Sequence, residues 1–166
     1  MDTLFAPWRM EYILGPKADD CVFCIPESTA TDSEGYVLVR GTLCFVIMNR
    51  YPYANGHLMV APFRHVPDLT DLDDRESAEM MYWIRGAVQA LRQALNPEGF
   101  NVGVNLGDVA GAGIQEHLHV HVVPRWHGDT SFMTVCGHTR VVPEHLSSTY
   151  ARLAPLFVSL SPSTLL

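Results

Sequence analysis

Three histidines alternate with apolar residues in the segment His117–Val123, whose sequence is HLHVHVV. In a β-strand, residues two apart project from the same face of the sheet. The pattern therefore predicts a strand with three imidazoles in a row on one face. Its other face would carry Leu118, Val120 and Val122 into the hydrophobic core. A polar strand face with histidines placed by chance is the alternative, and the regular alternation makes it a poor explanation.

A glycine-rich loop, Gly107–Gly113, immediately precedes the histidines. Alternating imidazoles suit either metal binding or nucleophilic catalysis, and this loop favours phosphate chemistry. Glycine permits the backbone dihedrals that turn successive amides toward an anion. The loop has neither the Gly-Lys-Ser/Thr of a Walker loop nor the dinucleotide fingerprint, so alone it is equally a plain turn or a phosphate cradle.

The hydrophobic pattern outside this segment predicts four more strands and two helices. We expect strands over Tyr36–Arg40, Leu43–Met48, His57–Pro62 and Phe100–Asn105. A long helix is expected over Thr70–Leu95, where Met81, Ile84, Val88, Leu91 and Leu95 recur at steps of three and four. Its acidic start is read as a solvated helix terminus and not as a metal site. A last helix is expected over Glu144–Phe157. This order predicts an α+β domain with a mostly antiparallel sheet of about five strands.

Composition limits the function classes. The chain has 166 residues, which suit a single domain spanning 1–166, with 1–35 as an irregular arm. Lys and Arg number 11 against 18 Asp and Glu, a net charge of −7, which disfavours a nucleic-acid partner. No apolar stretch approaches the ~20 residues that span a bilayer, and the N-terminus lacks a signal-peptide layout. We expect a cytoplasmic protein without a membrane partner.

Two of the four cysteines, Cys21 and Cys24, form a Cys-x-x-Cys pair. In a cytoplasmic chain such a pair is typical of a metal site or of a redox centre, and a disulfide framework is unusual. The strand–motif–helix context of a thioredoxin-like redox pair is missing. Cys44 lies within an apolar run and is expected to be a small core residue.

Several segments together resemble the histidine triad (HIT) superfamily, specifically a bacterial and archaeal branch with diadenosine tetraphosphate phosphorylases and hydrolases. The segments are Asn105–Arg125 with the three histidines, Asn55–Val66 (NGHLMVAPFRHV), Phe5–Ile13 (FAPWRMEYI), Cys21–Cys24 (CVFC) and Arg125–Met133 (RWHGDTSFM). The resemblance covers nearly the whole chain. It implies a HIT-like fold.

The resemblance also assigns three catalytic histidines. HIT proteins cleave nucleotides at the α-phosphorus through a covalent nucleotidyl-histidine, and the middle histidine of the triad is the nucleophile. By position this is His119. His121 would hold the reacting phosphate, and His57 resembles a fourth histidine that packs behind the triad and orients it.

A structural zinc site is implied as well. In HIT members with a Cys-x-x-Cys pair, the first triad histidine and the histidine of a Pro-x-x-His stretch complete the site. The implied ligands are Cys21, Cys24, His65 and His117. This Cys2His2 set has the number and ligand type of a closed tetrahedral zinc site.

Nucleotide contacts are implied at six positions. Asn49 resembles a residue that lines the nucleoside pocket, Asn105 lies near the phosphates, and Trp126 either stacks on the base or closes the core. The chain departs from the common family pattern at Gly113 and Ile114, where many members carry Gln followed by Ser or Thr. Gln115 is displaced by one, so the backbone amides of Gly111–Gly113 would have to contact phosphate.

The expected function is cleavage or transfer at the α-phosphate of a dinucleoside polyphosphate such as diadenosine tetraphosphate. Hydrolysis of nucleoside phosphoramidates is the alternative with the same chemistry. An alternative of another class is a zinc-stabilised module that binds nucleotides without turnover. HIT proteins are typically homodimers joined through their sheets, so we expect a homodimer, with the long helix and strand Phe100–Asn105 as contact surfaces.

Overall fold

The structure, a computed structural model, describes residues 21–129 and 142–160. The N-terminal motif at 5–13 lies outside these residues, as does the 130–133 part of the last motif. Within the described part, five strands form one antiparallel sheet in the order β1-β2-β3-β5-β4. The strands are β1 (Val37–Arg40), β2 (Cys44–Met48), β3 (Leu58–Pro62), β4 (Gly99–Val104) and β5 (Val120–Arg125). The predicted α+β class and five-strand antiparallel sheet are confirmed.

The strand that carries the histidines begins later than predicted. β5 starts at Val120, whereas the alternation predicts a strand from His117. His117 instead lies in a bend, and the next residue, Leu118, donates its backbone N–H to Val66 O at 2.7 Å. The side-chain alternation nevertheless continues, because Leu118, Val120 and Val122 all lie in the main core. The residues before Val120 therefore keep the predicted alternation of side chains between the two faces, although they are not part of the strand.

Among the described residues, three helices accompany the sheet: α1 (Asp32–Gly35), α2 (Asp74–Leu95) and α3 (Leu146–Val158). The predicted start of the long helix at Thr70 is too early, because Leu69–Asp71 forms a separate 3-10 turn and Asp73 is the N-cap. The arm expected to be irregular contains α1 and a 3-10 turn at Thr29–Thr31.

Within the two described stretches, we find no helix with the length and apolar character needed to cross a membrane.

The residues of α2 that face the core are mostly not those of the predicted apolar stripe. Of the five predicted residues only Leu91 is buried; Ile84, Val88 and Leu95 are half-buried, and Met81 is 57% exposed. The helix instead packs Met80, Trp83 and Ala87 against the sheet. Small residues such as Ala87 let the helix approach the strands closely around the large Trp83 ring, and a hydropathy pattern gives small residues little weight.

The sheet has two differently covered faces. Helices α2 and α3 cover one face, where the main core includes Cys44 as expected for a small core residue. On the other face a smaller cluster joins Phe23 from the N-terminal segment to Phe45, Met59 and Ala61. The triad histidines alternate with core residues, so His119 and His121 project on this second face.

The acidic start of α2 contains one buried carboxylate. Glu76 is 2% exposed and accepts two hydrogen bonds of 2.6 Å from the Arg64 guanidinium. It also completes a capping box with Asp73. The prediction of a solvated terminus is therefore wrong for Glu76, which anchors the segment that leads from β3 to His65. The bond to Arg64 is the main cause that lowers the pKa of the Glu76 carboxyl below its ordinary value of 4.5.

This pairing predicts an acid-dependent loss of stability. A carboxyl with a lowered folded-state pKa stabilises the fold above its unfolded-state pKa, and that contribution is lost as the pH falls through the folded-state value. We expect Glu76→Gln to lower the free energy of unfolding at pH 7, and the difference from wild type to shrink as the pH falls below 4.5. Urea denaturation across pH 3–7 measures this, and Asp74→Asn in the same helical turn is the control. An equal difference at every pH would contradict it.

Candidate active site and metal centre

Four metal-ligating side chains from three separate segments meet beside the sheet. The potential ligand atoms of Cys21, Cys24, His65 and His117 all lie within 4.8 Å of one another. The cysteines lie on a turn closed by a 2.9 Å bond from Cys24 N–H to Cys21 O. His65 follows β3, and His117 precedes β5. The structure thus brings together the four ligands that the resemblance implies, and this cluster could hold a metal ion.

Three sulfur–nitrogen distances within this cluster are close to those of a tetrahedral zinc site. Nδ1 of His117 lies 3.4 Å from the Sγ of Cys21 and 3.8 Å from that of Cys24, and Nδ1 of His65 lies 3.3 Å from Cys24 Sγ. Zinc bonds of about 2.3 Å to sulfur and about 2.05 Å to nitrogen give S···N edges of about 3.6 Å in a tetrahedron. The measured separations bracket this value.

The hydrogen bonding of His117 leaves the correct nitrogen for a metal. His117 is fully buried, and its Nε2 lies 2.9 Å from Pro62 O, so Nε2 carries the proton and donates it. Nδ1 then has a lone pair directed at the cysteines. Burial lowers the pKa of His117, which keeps the ring neutral as a metal ligand must be.

His119 is held as a neutral imidazole with one basic nitrogen. Its Nδ1 lies 2.9 Å from His117 O, so Nδ1–H donates to that carbonyl and the lone pair is on Nε2. The ring is 7% exposed, and burial lowers its pKa. Phe23 stacks over the ring at a centroid distance of 4.6 Å and an interplanar angle of 29°. A buried neutral imidazole of this kind can act as a nucleophile.

His57 and His121 form a chain of hydrogen bonds with a defined direction. The backbone N–H of Tyr53 donates to His57 Nδ1 at 3.1 Å, so the His57 proton is on Nε2. That Nε2 lies 3.0 Å from His121 Nδ1 and donates to it. The proton of His121 is therefore on its own Nε2, where it can be donated to a ligand. His57 is 1% exposed, which excludes a surface role.

His121 is neutral over the physiological range. Burial, followed by the nearby His119, lowers the pKa of His121 to about 4. Neutrality preserves the direction of the chain, since a protonated His121 could not accept the bond from His57.

Two of the six expected nucleotide contacts, Asn49 and Asn105, make hydrogen bonds to other residues of the site. Asn49 directs its carboxamide inward: Oδ1 accepts the Tyr51 N–H at 2.8 Å, and Nδ2 lies 3.4 Å from His57 Nδ1. Asn105 donates from Nδ2 to Gly111 O at 3.4 Å and so braces the glycine-rich loop. Both asparagines therefore support the site geometry.

Two amides of the glycine-rich loop make hydrogen bonds within the loop. The N–H groups of Gly111 and Ala112 donate to Asp108 O at 2.8 Å and to Gly107 O at 3.3 Å. These two amides close a 3-10 turn at Asp108–Ala110 and are engaged within the loop itself. Gly113 and Gln115 are exposed beside the triad segment.

Trp126 is half-buried. It follows the end of β5, five residues beyond His121, which corresponds to about 16 Å of extended chain. Its backbone N–H and C=O both bond to Asp129, at 3.3 Å and 3.1 Å. The expected stacking of Trp126 on a base stays a prediction.

Sequence reasoning missed two aromatic residues of the site. Tyr53 places its ring 4.6 Å from that of His57 and 5.7 Å from that of His121. Phe23 lies between the two cysteines and against His119. Their signals were weak: an aromatic in a loop four residues before a histidine, and an apolar residue inside a Cys-x-x-Cys pair.

Known proteins resemble this chain in sequence and in fold. The HIT domain profile matches residues 30–128. The chain belongs to the HIT family. A HIT relative named AP-4-A phosphorylase, from Mycobacterium tuberculosis, is 44% identical over 93% of this chain and 83% of its own length. A bis(5'-nucleosyl)-tetraphosphatase [asymmetrical] from Schizosaccharomyces pombe is 33% identical over 57% of this chain and 52% of its own.

A solved HIT structure supports the fold. The Zn-bound histidine triad family protein from Mycobacterium smegmatis is 28% identical and has a TM-score of 0.64, covering 85% of this chain and 95% of its own. The expected HIT membership and fold are thus confirmed, and the expected place beside the tetraphosphate phosphorylases agrees with the M. tuberculosis relative.

Proposed function

We propose that this HIT protein transfers a nucleotidyl group from a dinucleoside polyphosphate through a covalent bond to His119. Diadenosine tetraphosphate is the proposed substrate, since the relative that covers most of the chain is named AP-4-A phosphorylase. The observation that carries the proposal is the hydrogen bond from His119 Nδ1 to His117 O, which leaves a basic Nε2 on a buried neutral ring.

The first step breaks one bond and forms one. The lone pair of His119 Nε2 attacks the α-phosphorus, a P–N bond forms, and the bond to the bridging oxygen breaks. ATP departs with that electron pair, and AMP stays bound to His119. In the second step an oxygen of inorganic phosphate attacks the same phosphorus. ADP is released, and the electron pair of the P–N bond returns to Nε2.

His121 and His57 support this transfer as a directed pair. Because His57 donates to His121 Nδ1, His121 offers its Nε2–H to a phosphoryl oxygen, where negative charge develops in the transition state. His57 acts through His121, and its own tautomer is set by the Tyr53 backbone. Fixed donors of this type cost no reorganisation at the moment of reaction.

Nucleotide contacts are proposed at fewer positions than the resemblance implies. Gly113 and Gln115, which are exposed next to the triad segment, are the proposed phosphate contacts. Asn49 and Asn105 are proposed to shape the pocket from behind, since their side chains bond to His57 and to Gly111.

We propose zinc as the resident metal of the four-ligand cluster, in a structural role. The two cysteines and two histidines are a common zinc donor set, and their spacing fits its tetrahedron. A bound ion would tie the N-terminal segment to the ends of β3 and β5. The four ligands lie on the Nδ1 side of His117 and do not include His119, so no step of the reaction is assigned to an ion held there.

The proposed enzyme is a single-domain cytoplasmic homodimer with no nucleic-acid or membrane partner. β4 is an edge strand with Val102 47% exposed, which supports pairing of two sheets there. Sedimentation equilibrium tests the dimer against the chain mass of 18.5 kDa.

Product analysis with diadenosine tetraphosphate tests the function. We expect ADP and ATP in equal amounts when millimolar phosphate is present, and little cleavage without it. AMP and ATP formed without phosphate would identify water as the acceptor and a hydrolase.

No cleavage under either condition would contradict the proposal. A nucleoside phosphoramidate would then be the next substrate to assay. Nucleotide binding without turnover of any of these compounds would favour the alternative of a binding module.

A further inference from the structure

The ring of Phe23 links the metal-ligand cluster to His119. Phe23 is 2% exposed and stacks on the His119 imidazole at 4.6 Å, within the range of favourable aromatic contacts. It also lies 5.4 Å from the His117 ring, tilted by 51°. One buried side chain thus touches both a metal-ligand candidate and the proposed nucleophile.

Other contacts leave one motion of the His119 ring open. The bond from Nδ1 to His117 O fixes one edge of the imidazole. A single hydrogen bond still allows the ring to rock about its donor–acceptor axis, and rocking would move Nε2 away from the line of attack. The His121 ring meets His119 edge to face, at 4.9 Å and 81°. The Phe23 ring packs against one face of the imidazole at an interplanar angle of 29°, so it opposes rotation toward that side.

Phe23 is itself held by the residues that flank it. Cys21 and Cys24 form a closed turn around it, and their sulfurs face His65 and His117. Phe23 comes from a segment remote in sequence from the triad, and its position depends on whether that turn is anchored.

We propose that Phe23 is a positioning residue, which holds the His119 imidazole in its attacking orientation and makes the metal-anchored turn contribute to the reaction rate. The inference rests on the proposed function. It predicts that loss of the Phe23 ring lowers the rate of the chemical step without weakening substrate binding.

The test compares Phe23→Leu with Phe45→Leu. Phe45 is fully buried in the same hydrophobic cluster and stacks on Phe63 at 5.3 Å, so it controls for loss of a buried ring. For Phe23→Leu we expect unchanged zinc content per chain, KM for diadenosine tetraphosphate within about twofold, and kcat lower by the order of tenfold to a hundredfold. Phe45→Leu should keep kcat within about twofold of wild type.

Nuclear magnetic resonance supplies a readout that does not depend on activity. A stacked benzene ring shields the protons of the ring beneath it. The His119 ring-proton signals of the zinc-loaded protein should therefore move downfield in Phe23→Leu and stay in place in Phe45→Leu.

Several results would overturn the inference. These are a normal kcat in Phe23→Leu, an equal fall of kcat in both variants, unmoved His119 signals, or loss of zinc from Phe23→Leu alone. Failure of the proposed function looks different: wild type would not cleave diadenosine tetraphosphate, while the His119 signals would still report the ring contact.

Discussion

Replacement of His119 by alanine is expected to abolish turnover of diadenosine tetraphosphate, with kcat lower by about 10⁴-fold or more. The variant lacks the basic Nε2 that would form the bond to phosphorus, and no other nitrogen of the site can replace it. Nδ1 of His121 already accepts a hydrogen bond from His57, and Nδ1 of His117 faces the cysteines. Nucleotide affinity should stay within about tenfold of wild type, since a nucleophile contributes mainly in the transition state.

Two measurements check this result. Steady-state kinetics give kcat, and acid-labile labelling of the protein by substrate carrying ³²P at the α-phosphate reports the covalent intermediate. His127→Ala is the matched control because that side chain is 93% exposed and pairs with Glu98 on the surface. The His127→Ala variant should retain the kcat of wild type and should become labelled by the substrate to the same extent. Labelled protein in the His119→Ala variant would assign the nucleophile to another residue.

The residues of the site could be predicted from the sequence more fully than their hydrogen bonds. A period of two puts His119 and His121 on one face of the chain whether or not the strand pairing extends that far. The resemblance to HIT proteins, and not the spacing, singles out His119 as the nucleophile. The direction of the hydrogen-bond chain through His57 and His121 depends on the Tyr53 backbone amide, and the tautomer of His117 depends on the Pro62 carbonyl. Main-chain groups have no residue-type signature, which is why no sequence pattern indicates them.

The errors in the fold prediction have a related cause. A hydropathy stripe ranks Met81 above Ala87, yet Ala87 is buried and Met81 is exposed. Small residues fit beside the large Trp83 ring where the helix packs closely on the sheet. Which positions need a small residue depends on the shape of the opposing strands. The buried Glu76 is a second case: a carboxylate can be buried when Arg64 neutralises it, and that partner lies twelve residues away in another segment.

Phe23 illustrates a further limit on sequence reasoning. An apolar residue between two cysteines predicts nothing about where its ring points. Only the fold, which brings the Cys-x-x-Cys turn against the start of β5, shows that the ring covers His119. The metal-ligand cluster and the proposed nucleophile are therefore one structural unit, and a change at the cluster should reach the reaction.

Replacement of a residue in the metal-ligand cluster, Cys24→Ser, is expected to lower both the zinc content and the melting temperature. The variant loses one of four ligands, so zinc content should fall from near one per chain to well below it. A ligand bound at a thousand times its dissociation constant stabilises a fold by about 4 kcal/mol. For a chain of this length the melting temperature should therefore fall by roughly 10 °C. Metal analysis by mass spectrometry and calorimetric melting measure the two quantities.

Cys44→Ser is the control for this experiment, because Cys44 is a buried cysteine of the main core outside the cluster. It should keep its zinc, so a fall in its melting temperature would reflect only the altered core. Treatment of wild type with a chelator should reproduce the melting temperature of Cys24→Ser and leave that of the variant unchanged. Zinc content near one per chain in Cys24→Ser would show that the ion binds elsewhere, and the link between the cluster and β5 would then have to be carried by protein contacts alone, beginning with the Leu118–Val66 hydrogen bond.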